Sequence, residues 1–337
     1  MKKRMLYFAG GIVVIGLILS VFYFSGPEII IESLDTKLPE LTDDLVSLEK
    51  MVNEKEQSFK DQLKPGNASR IVWADPVPSK TEYSFVYLHG WSASSEEGAP
   101  LHEETAHRYQ ANLYLPRLHC HGLKGSDSMQ NLTAKNLMAS AREAIAVASK
   151  LGSKVIVIAT STGASIAMYL AGYNPCIAAL ILYSPNIEIY ASAAKLLGGP
   201  WGLQLARMLN GDYYEFEASE TRKKFWTNRY RVEALPQLQA LLNYTMVQET
   251  FKKVTQPVFM GYYYKNEKEQ DKVVSVAAML RMFEQLGTPQ SLKRKKAFPN
   301  AGHHVLSSHI ISKDLNSVKC ETFIFLESKL GLVPVKP

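Results

Sequence analysis

The fold of this chain is decided by one stretch of its sequence, Val155-Ile156-Val157-Ile158-Ala159-Thr160-Ser161-Thr162-Gly163-Ala164-Ser165. The apolar run at its start is typical of a strand that is buried on both faces. The alanine-rich segment after Gly163 favours a helix. Small residues stand two positions before and two positions after Ser161. The stretch therefore predicts a sharp strand-to-helix turn that lifts the Ser161 hydroxyl above a sheet and points a helix N-terminus at it.

Small residues are needed at such a turn because the strand and helix backbones nearly touch there. The usual form is Gly-x-Ser-x-Gly, and in this chain Ala159 takes the place of the first glycine. A serine between small residues also occurs in ordinary Ser/Thr-rich turns, so this motif alone leaves both interpretations open. Ser161 stands midway between the small residues Ala159 and Gly163, which makes it a better nucleophile candidate than Thr160 or Thr162.

The sequence on either side of this turn predicts a sheet flanked by helices. From about residue 70 onward, β-branched or aromatic runs alternate with helical stretches, which is typical of βαβ units around a mostly parallel sheet. Each run is nearly continuous in apolar residues, as expected when helices cover both faces of the sheet. The predicted strands are Ser84 to Leu88, Ala111 to Leu115, Val155 to Ala159, Ile177 to Tyr183 and Pro257 to Tyr263.

The longest interval between predicted strands runs from about residue 186 to 250. It is much longer than the roughly dozen residues that a plain crossover needs. The interval therefore predicts an inserted helical cap. Its aromatic and apolar side chains, such as Met208, Phe216 and Trp226, are candidates both for an acyl pocket and for the cap's own core.

Further motifs stand before and after the turn, in a consistent order along the chain. They are Leu88-His89-Gly90-Trp91, the loop from Leu115-Pro116 to His121-Gly122-Leu123, Asp271-Lys272-Val273-Val274 and Gly302-His303-His304-Val305. With these motifs, residues 71 to 331 resemble the α/β-hydrolase superfamily, nearest in pattern to its carboxylesterase, monoacylglycerol lipase and serine-aminopeptidase-like branch. The resemblance implies the α/β-hydrolase fold, a mostly parallel sheet covered by helices on both faces, with the helical cap inserted after the sixth strand.

The resemblance also implies a catalytic site, because the order Ser, Asp, His along the chain is that of these hydrolases. Ser161 would be the nucleophile, Asp271 the acid of the triad and His304 the base, with His303 as the alternative base because the histidine is doubled. The backbone N–H groups of Trp91 and Thr162 would form the oxyanion hole. His89 would then be a structural histidine.

The reaction that this site implies is hydrolysis of a carboxylic ester, either an acylglycerol or a small acyl ester, through an acyl-enzyme. It needs no metal and no organic cofactor. Aminopeptidase or amidase activity on the same fold is an alternative, for which the cap residues Glu215, Glu217 and Glu220 offer a site for a substrate ammonium group. A non-catalytic binding module is a second alternative, because fold does not determine function. The complete triad argues against it.

The N-terminus predicts a membrane anchor. Between Arg4 and Glu28 no residue is charged, and this stretch exceeds the about 20 apolar residues that span a bilayer. A cleaved signal peptide normally has a shorter apolar region and ends in an Ala-x-Ala-like site, and no such site stands near residues 23 to 26. We therefore expect residues 1 to 27 to be a retained transmembrane helix.

The basic residues Lys2, Lys3 and Arg4 precede this predicted helix. By the positive-inside rule they hold the N-terminus in the cytoplasm, so the hydrolase domain is expected on the periplasmic or extracytoplasmic side. Residues 28 to 69 carry apolar positions at helical spacing and predict a membrane-proximal helix or stalk. Residues 70 to 337 are the predicted hydrolase domain.

The amino-acid composition limits which classes of protein and of binding partner are compatible with this chain. With 46% hydrophobic and 21% charged residues, the chain has the material for one large core. The net charge of +6 is scattered in short basic runs, which indicates no nucleic-acid partner. The three cysteines are far apart in the sequence, so they predict no disulfide framework. His119 and His121 flank one of them, but no carboxylate stands at metal-ligand spacing, and no metal site is expected.

Overall fold

The computed structural model describes residues 16 to 335, and its centre is a seven-stranded sheet. In chain order the described strands are β1 Arg70–Val72, β2 Thr81–Leu88, β3 Asn112–Leu115, β4 Gly152–Thr160, β5 Ile177–Tyr183, β6 Tyr213–Glu215, β7 Arg229–Arg231, β8 Val258–Tyr262 and β9 Lys293–Ala297. Two of them, β6 and β7, lie outside this sheet. The sheet order is β1-β3-β2-β4-β5-β8-β9. Within this seven-stranded sheet, only the pairing of β1 with β3 is antiparallel. The prediction of a mostly parallel sheet is confirmed.

Helices cover both faces of this sheet, and successive strand residues point into two separate cores. Val157, for example, belongs to one apolar cluster and its neighbour Ile158 to the other, as the alternation of side chains along a strand requires. Helices lie at Leu45–Gln57, Leu101–Arg108, Ala134–Leu151, Ser161–Ala171, Gly202–Asn210, Glu220–Phe225, Ala234–Thr245, Gln248–Lys253, Val276–Gln285 and Leu315–Leu330. Short 3-10 turns lie at Ser95–Gly98, Ser192–Gly198 and Gln290–Leu292.

The five predicted strands correspond to β2, β3, β4, β5 and β8, whereas the outer strands β1 and β9 were not predicted. Strand β1 has only three residues, and β9 reads Lys-Arg-Lys-Lys-Ala. An edge strand has a neighbour on one side only and tolerates charges that discourage pairing with another chain. The apolar run by which we recognised the central strands is therefore missing from both edges.

The chain between β5 and β8 forms the predicted cap. Its position after the sixth strand was wrong, because in the described chain the cap follows the fifth strand, so one strand fewer precedes it than the resemblance implied. The cap is also not purely helical. Strands β6 and β7 pair as an antiparallel two-stranded sheet of their own.

The predicted transmembrane helix lies partly outside the described residues. Residues 16 to 24 are helical. Among residues 16 to 335 no helix is both long enough and apolar enough to cross a membrane. The end of the N-terminal helical segment contacts the cap, where the Phe22 ring stacks on the Trp201 ring at 5.0 Å between centroids and the Trp201 indole N–H donates to the Tyr23 carbonyl (3.0 Å).

The segment predicted as a membrane-proximal helix or stalk contains the helix Leu45–Gln57, which packs against the sheet domain. Leu48 and Val52 are buried in the larger apolar core. Glu56, near the end of this helix, forms a buried ion pair with Arg117 (2.8 Å) in the loop after β3. The boundary at residue 70 stays a prediction, but this helix belongs to the same packed unit as the sheet.

Candidate active site

Ser161 lies at the turn between β4 and the helix that begins at this residue. Its backbone φ is +54°, in the left-handed region, although it is not a glycine. Such a conformation costs about 1–3 kcal/mol and persists only where the surrounding structure imposes it. Here β4 is buried between β2 and β5, and the following helix Ser161–Ala171 is buried along its whole length. The strained turn places the Ser161 side chain at the carboxyl end of the sheet.

The two small residues that frame Ser161 stand in different surroundings. A methyl group built on Gly163 would lie 2.2 Å from the carbonyl oxygen of Leu88, so only glycine fits where the helix crosses the end of β2. Ala159 lies within β4, beside Leu88 of β2 and Leu182 of β5, and is fully buried. The sheet therefore holds a methyl group at position 159 but excludes one at position 163.

Asp271 and His304 form a buried pair. The Nδ1 of His304 lies 2.6 Å from Oδ2 of Asp271, and the other carboxylate oxygen accepts the backbone N–H groups of Val273 (2.8 Å) and Val274 (3.0 Å). Burial alone would raise the pKa of Asp271, but His304 and these two N–H groups outweigh it and hold the pKa below its ordinary value. The carboxylate is therefore charged at neutral pH and oriented toward the imidazole.

The same pairing shifts the pKa of His304 in the opposite direction, upward. Burial alone would lower the pKa of His304, but the adjacent Asp271 carboxylate and its hydrogen bond raise it above the ordinary value. Within residues 16 to 335, the Nε2 of His304 is buried and has no hydrogen-bond partner. The structure thus brings Asp271 and His304 together, whereas the Ser161 hydroxyl is not hydrogen-bonded to the imidazole. Catalytic hydrogen bonds are often incomplete without substrate.

His303 has a different environment from its neighbour. Its Nδ1 accepts the backbone N–H of Val305 (3.0 Å). Burial, His304 and Arg222 lower the pKa of His303 to about 4. His303 also lines an open cavity between the cap and the histidine loop. Of the two candidate bases, His304 is the one that the structure places on Asp271.

The segment that follows β5 links the turn to the histidine loop. The backbone N–H of Asn186 donates to the Ser161 carbonyl (3.1 Å). Two residues earlier, the Ser184 hydroxyl donates to the His304 carbonyl (2.8 Å). The two loops are therefore held at the same end of the sheet by one short connection.

The two predicted oxyanion donors lie on either side of Ser161. Thr162 is in the first turn of a helix, where N–H groups have no partner within the helix. Trp91 follows Gly90, and a methyl group built on Gly90 would lie 3.1 Å from Cβ of Ser161. The loop after β2 thus passes directly beside the serine.

His89 fixes this loop. Its Nε2 accepts the backbone N–H of Leu118 (3.1 Å), so Nδ1 carries the proton and donates to the Gly90 carbonyl (3.0 Å). Burial lowers the pKa of His89 to about 4, so the ring is neutral. The histidine ties the loop after β2 to the loop after β3.

Glu97 is a site residue that the sequence analysis missed. Its Oε2 accepts the backbone N–H of Gly90 (2.6 Å) and the hydroxyl of Tyr87 (3.1 Å). Tyr87 in turn contacts the Thr160 hydroxyl (2.9 Å), immediately before Ser161. Burial raises the pKa of Glu97 to about 7. No sequence signal separates this buried glutamate from its neighbour Glu96.

A cavity of about 800 Å³ lies beside His303. Phe216 is the one candidate pocket residue named above that lines it, while Met208 is exposed elsewhere and Trp226 is buried. The other lining residues are Glu215, Glu217, Ala218, Ser219, Arg222, Lys223, Asn228, Ile310 and Ile311. Two of the three acidic cap residues proposed for an ammonium site therefore reach the cavity, whereas Glu220 pairs with Lys223 (2.7 Å).

Solved structures of several known proteins match the fold of this chain. A structure of the metagenome-derived lipolytic enzymes LipS and LipT matches with a TM-score of 0.64 and 17% identity, covering 79% of this chain and 99% of the other. The monoacylglycerol lipase of Paleococcus ferrophilus matches with a TM-score of 0.56 and 14% identity, covering 77% and 98%. Est1E of Butyrivibrio proteoclasticus, solved with bound ferulic acid, matches with a TM-score of 0.54 and 17% identity, covering 78% and 95%.

At sequence identities of 14 to 17%, the likeness to these structures establishes the fold of this chain. No curated protein matches the sequence. The family model described as the alpha/beta hydrolase family matches residues 85 to 310, from β2 to beyond the histidine loop and about two thirds of the chain. This chain belongs to the alpha/beta hydrolase family.

Proposed function

We propose that this protein is a serine hydrolase that cleaves carboxylic esters of acylglycerols or other small acyl compounds. The observation that carries the proposal is the buried His304–Asp271 pair, with 2.6 Å between Nδ1 and Oδ2, at the same end of the sheet as the strained Ser161 turn. The structural neighbours include lipolytic enzymes and a monoacylglycerol lipase, which supports the choice of an ester substrate.

The proposed mechanism is acyl transfer in two halves. In the first, Nε2 of His304 takes the Ser161 proton while the serine oxygen attacks the ester carbonyl carbon, and the N–H groups of Trp91 and Thr162 bind the oxyanion. The C–O bond then breaks and the leaving alcohol takes the proton from His304. In the second half, water loses its proton to His304 and attacks the acyl-enzyme carbonyl. The bond from the acyl carbon to the Ser161 oxygen then breaks, the acid is released, and Ser161 takes the proton back from His304.

Asp271 supports both halves without exchanging a proton. Its bond to Nδ1 keeps the hydrogen on that nitrogen, which leaves Nε2 available to accept the Ser161 proton. Its charge also stabilises the imidazolium that forms in each half. The backbone N–H groups of Val273 and Val274 hold the carboxylate in the orientation that this bond needs.

The test is hydrolysis of nitrophenyl esters of graded acyl length, measured as kcat/KM across pH. We expect turnover, with kcat/KM falling toward acid pH because a protonated His304 cannot accept the serine proton. Since the pKa of His304 is raised, the midpoint of the fall should lie above 6.5. Absence of turnover across the series would contradict the proposed function, and a profile that stays flat from about pH 8 to 5 would remove His304 as the base.

We also propose that residues 1 to 27 anchor the protein in a membrane. The N-terminus would then lie in the cytoplasm and the hydrolase domain on the periplasmic or extracytoplasmic side. The support is the uncharged stretch between Arg4 and Glu28 and the basic residues before it. We expect the full-length protein in the membrane fraction after a carbonate wash, with its N-terminal residues retained. A soluble protein whose mature N-terminus lies near residue 26 would show a cleaved signal instead.

A further inference from the structure

We infer that Arg222 is a specificity-determining residue that binds an anionic group, carboxylate or phosphate, carried by the ester substrate in the cavity under the cap. The inference rests on the proposed function and narrows it to esters with a second, negatively charged group. Its basis is the placement of one cationic side chain beside two aromatic rings and its lack of an ion-pair partner within 4 Å.

Two aromatic rings hold the Arg222 side chain. The guanidinium carbon lies 5.0 Å from the centroid of the Phe216 ring and 5.5 Å from that of the Trp226 ring. Such contacts stabilise a cation and restrict its orientation without neutralising it. Trp226 itself is buried against Ala93 and Val305, so the aromatic support is anchored to the loops of the active site.

The Arg222 guanidinium has no ion-pair partner within 4 Å among residues 16 to 335, and the buried carboxyl of Glu97 acts on it only from a longer distance. No carboxylate lies within 4 Å of its guanidinium, and its Nε is buried without a hydrogen-bond partner. A partly buried cation with unused donors costs free energy unless a ligand supplies the acceptors. Neighbouring cations of the cap do have partners, since Lys223 pairs with Glu220 (2.7 Å) and Arg231 with Glu233 (2.6 Å).

Arg222 lies near the histidine loop, where its charge acts on His303 and His304. It lines the same cavity as His303, which precedes the proposed base, and its positive charge contributes to the lowered pKa of His303. Its helix, Glu220–Phe225, lies against the turn Ser95–Gly98 that carries Glu97. The cavity lining reaches His303 but not Ser161, so the inference requires a substrate that extends from Ser161 past the histidine loop to Arg222.

The other walls of the cavity define the rest of the ligand. Ile310 and Ile311 offer apolar surface for a short hydrocarbon chain. Two carboxylates also line the cavity, of which Glu215 lies 3.5 Å from Arg229. Glu217 is exposed and is the group that would favour a substrate ammonium instead. Arg222 thus favours a negatively charged substrate and Glu217 a positively charged one. An experiment can distinguish these two preferences.

The experiment compares nitrophenyl esters with equal acyl chains of six and eight carbons that end in a methyl, a carboxylate or an ammonium group. A second pair, a monoacylglycerol and its 3-phosphate, places the anion on the leaving group. We expect the full-length protein to prefer at least one anionic ester over its neutral counterpart by about tenfold or more in kcat/KM, mainly through KM, because charge-assisted hydrogen bonds to an arginine bind substrate and transition state alike.

The variants assign the preference to one side chain. Arg222→Met should abolish the preference for the anion, measured as the ratio of kcat/KM for the anionic ester to kcat/KM for the neutral ester, and Arg222→Lys should retain part of it. Lys224→Met removes the same charge from the same helix, outside the cavity lining, and should leave the preference unchanged. Turnover of neutral esters by Arg222→Met also shows that the variant is folded.

Three outcomes would overturn the inference. Equal turnover of anionic and neutral esters would remove the anion subsite while leaving the proposed function intact. Preference for the ammonium esters, lost in Glu217→Gln, would assign the cavity to cationic substrates and favour the aminopeptidase alternative. Absence of turnover of every ester would remove the proposed function, and the inference with it.

Discussion

Replacing His304 with alanine is expected to lower kcat by about a thousandfold or more, whereas His303→Ala should cost at most about tenfold. The base must reach the Ser161 hydroxyl with one ring nitrogen and Asp271 with the other, and only His304 lies on that carboxylate. His303 instead accepts the N–H of Val305 through its Nδ1. The measurement is kcat for a nitrophenyl ester, with circular dichroism of both variants to show that the fold is retained.

The neighbouring variant is the control, because both substitutions remove an imidazole from the same loop. If loss of packing in this loop were the cause, both variants should lose activity to a similar degree. A larger loss in His303→Ala would move the base to that residue, and mild losses in both would contradict the triad as a whole.

Ser161→Ala should abolish active-site labelling by a fluorophosphonate and lower kcat by at least about ten-thousandfold. The serine oxygen forms the covalent bond in the proposed mechanism, and no other side chain can replace it at the strained turn. The measurement is peptide mapping after labelling of the wild-type protein and the variant. Label on the peptide with Ser161 in the wild-type protein, and its loss in the variant, is the expected result.

Ser161→Gly is the matched control for the strain at this position. Glycine adopts a positive φ at no steric cost, so this variant should be as inactive as Ser161→Ala but more stable to unfolding by about 1 kcal/mol or more. Persistent labelling of the same peptide in both variants would show that the nucleophile has been misplaced.

The central strands and the turn at Ser161 were predictable because their signals are local. Strand β4 is buried on both faces, so every one of its residues from Val155 to Ala159 is apolar. Gly163 is required by a backbone contact with the end of β2. Such constraints act within a few residues of the chain and are visible in the sequence.

The elements that were missed have no such local signal. Strands β1 and β9 are edges, and the cap strands β6 and β7 have three residues each. A short or half-paired strand is stabilised by its neighbours in space more than by its own apolar residues. The helix Leu45–Gln57 was expected near a membrane, yet only its contacts show that it packs on the core.

For the site, the sequence by itself determined which residue types follow the strand ends and in what order, Ser161 before Asp271 before the doubled histidine. Only the tertiary structure decided that His304, and not His303, lies on Asp271. It alone separated buried Glu97 from half-buried Glu96 and placed Arg222 beside two aromatic rings with no carboxylate within 4 Å. The physical reason is that burial and charge pairing are set by groups far apart in the chain, here the cap, the loop after β2 and the histidine loop, which meet only once the sheet has formed.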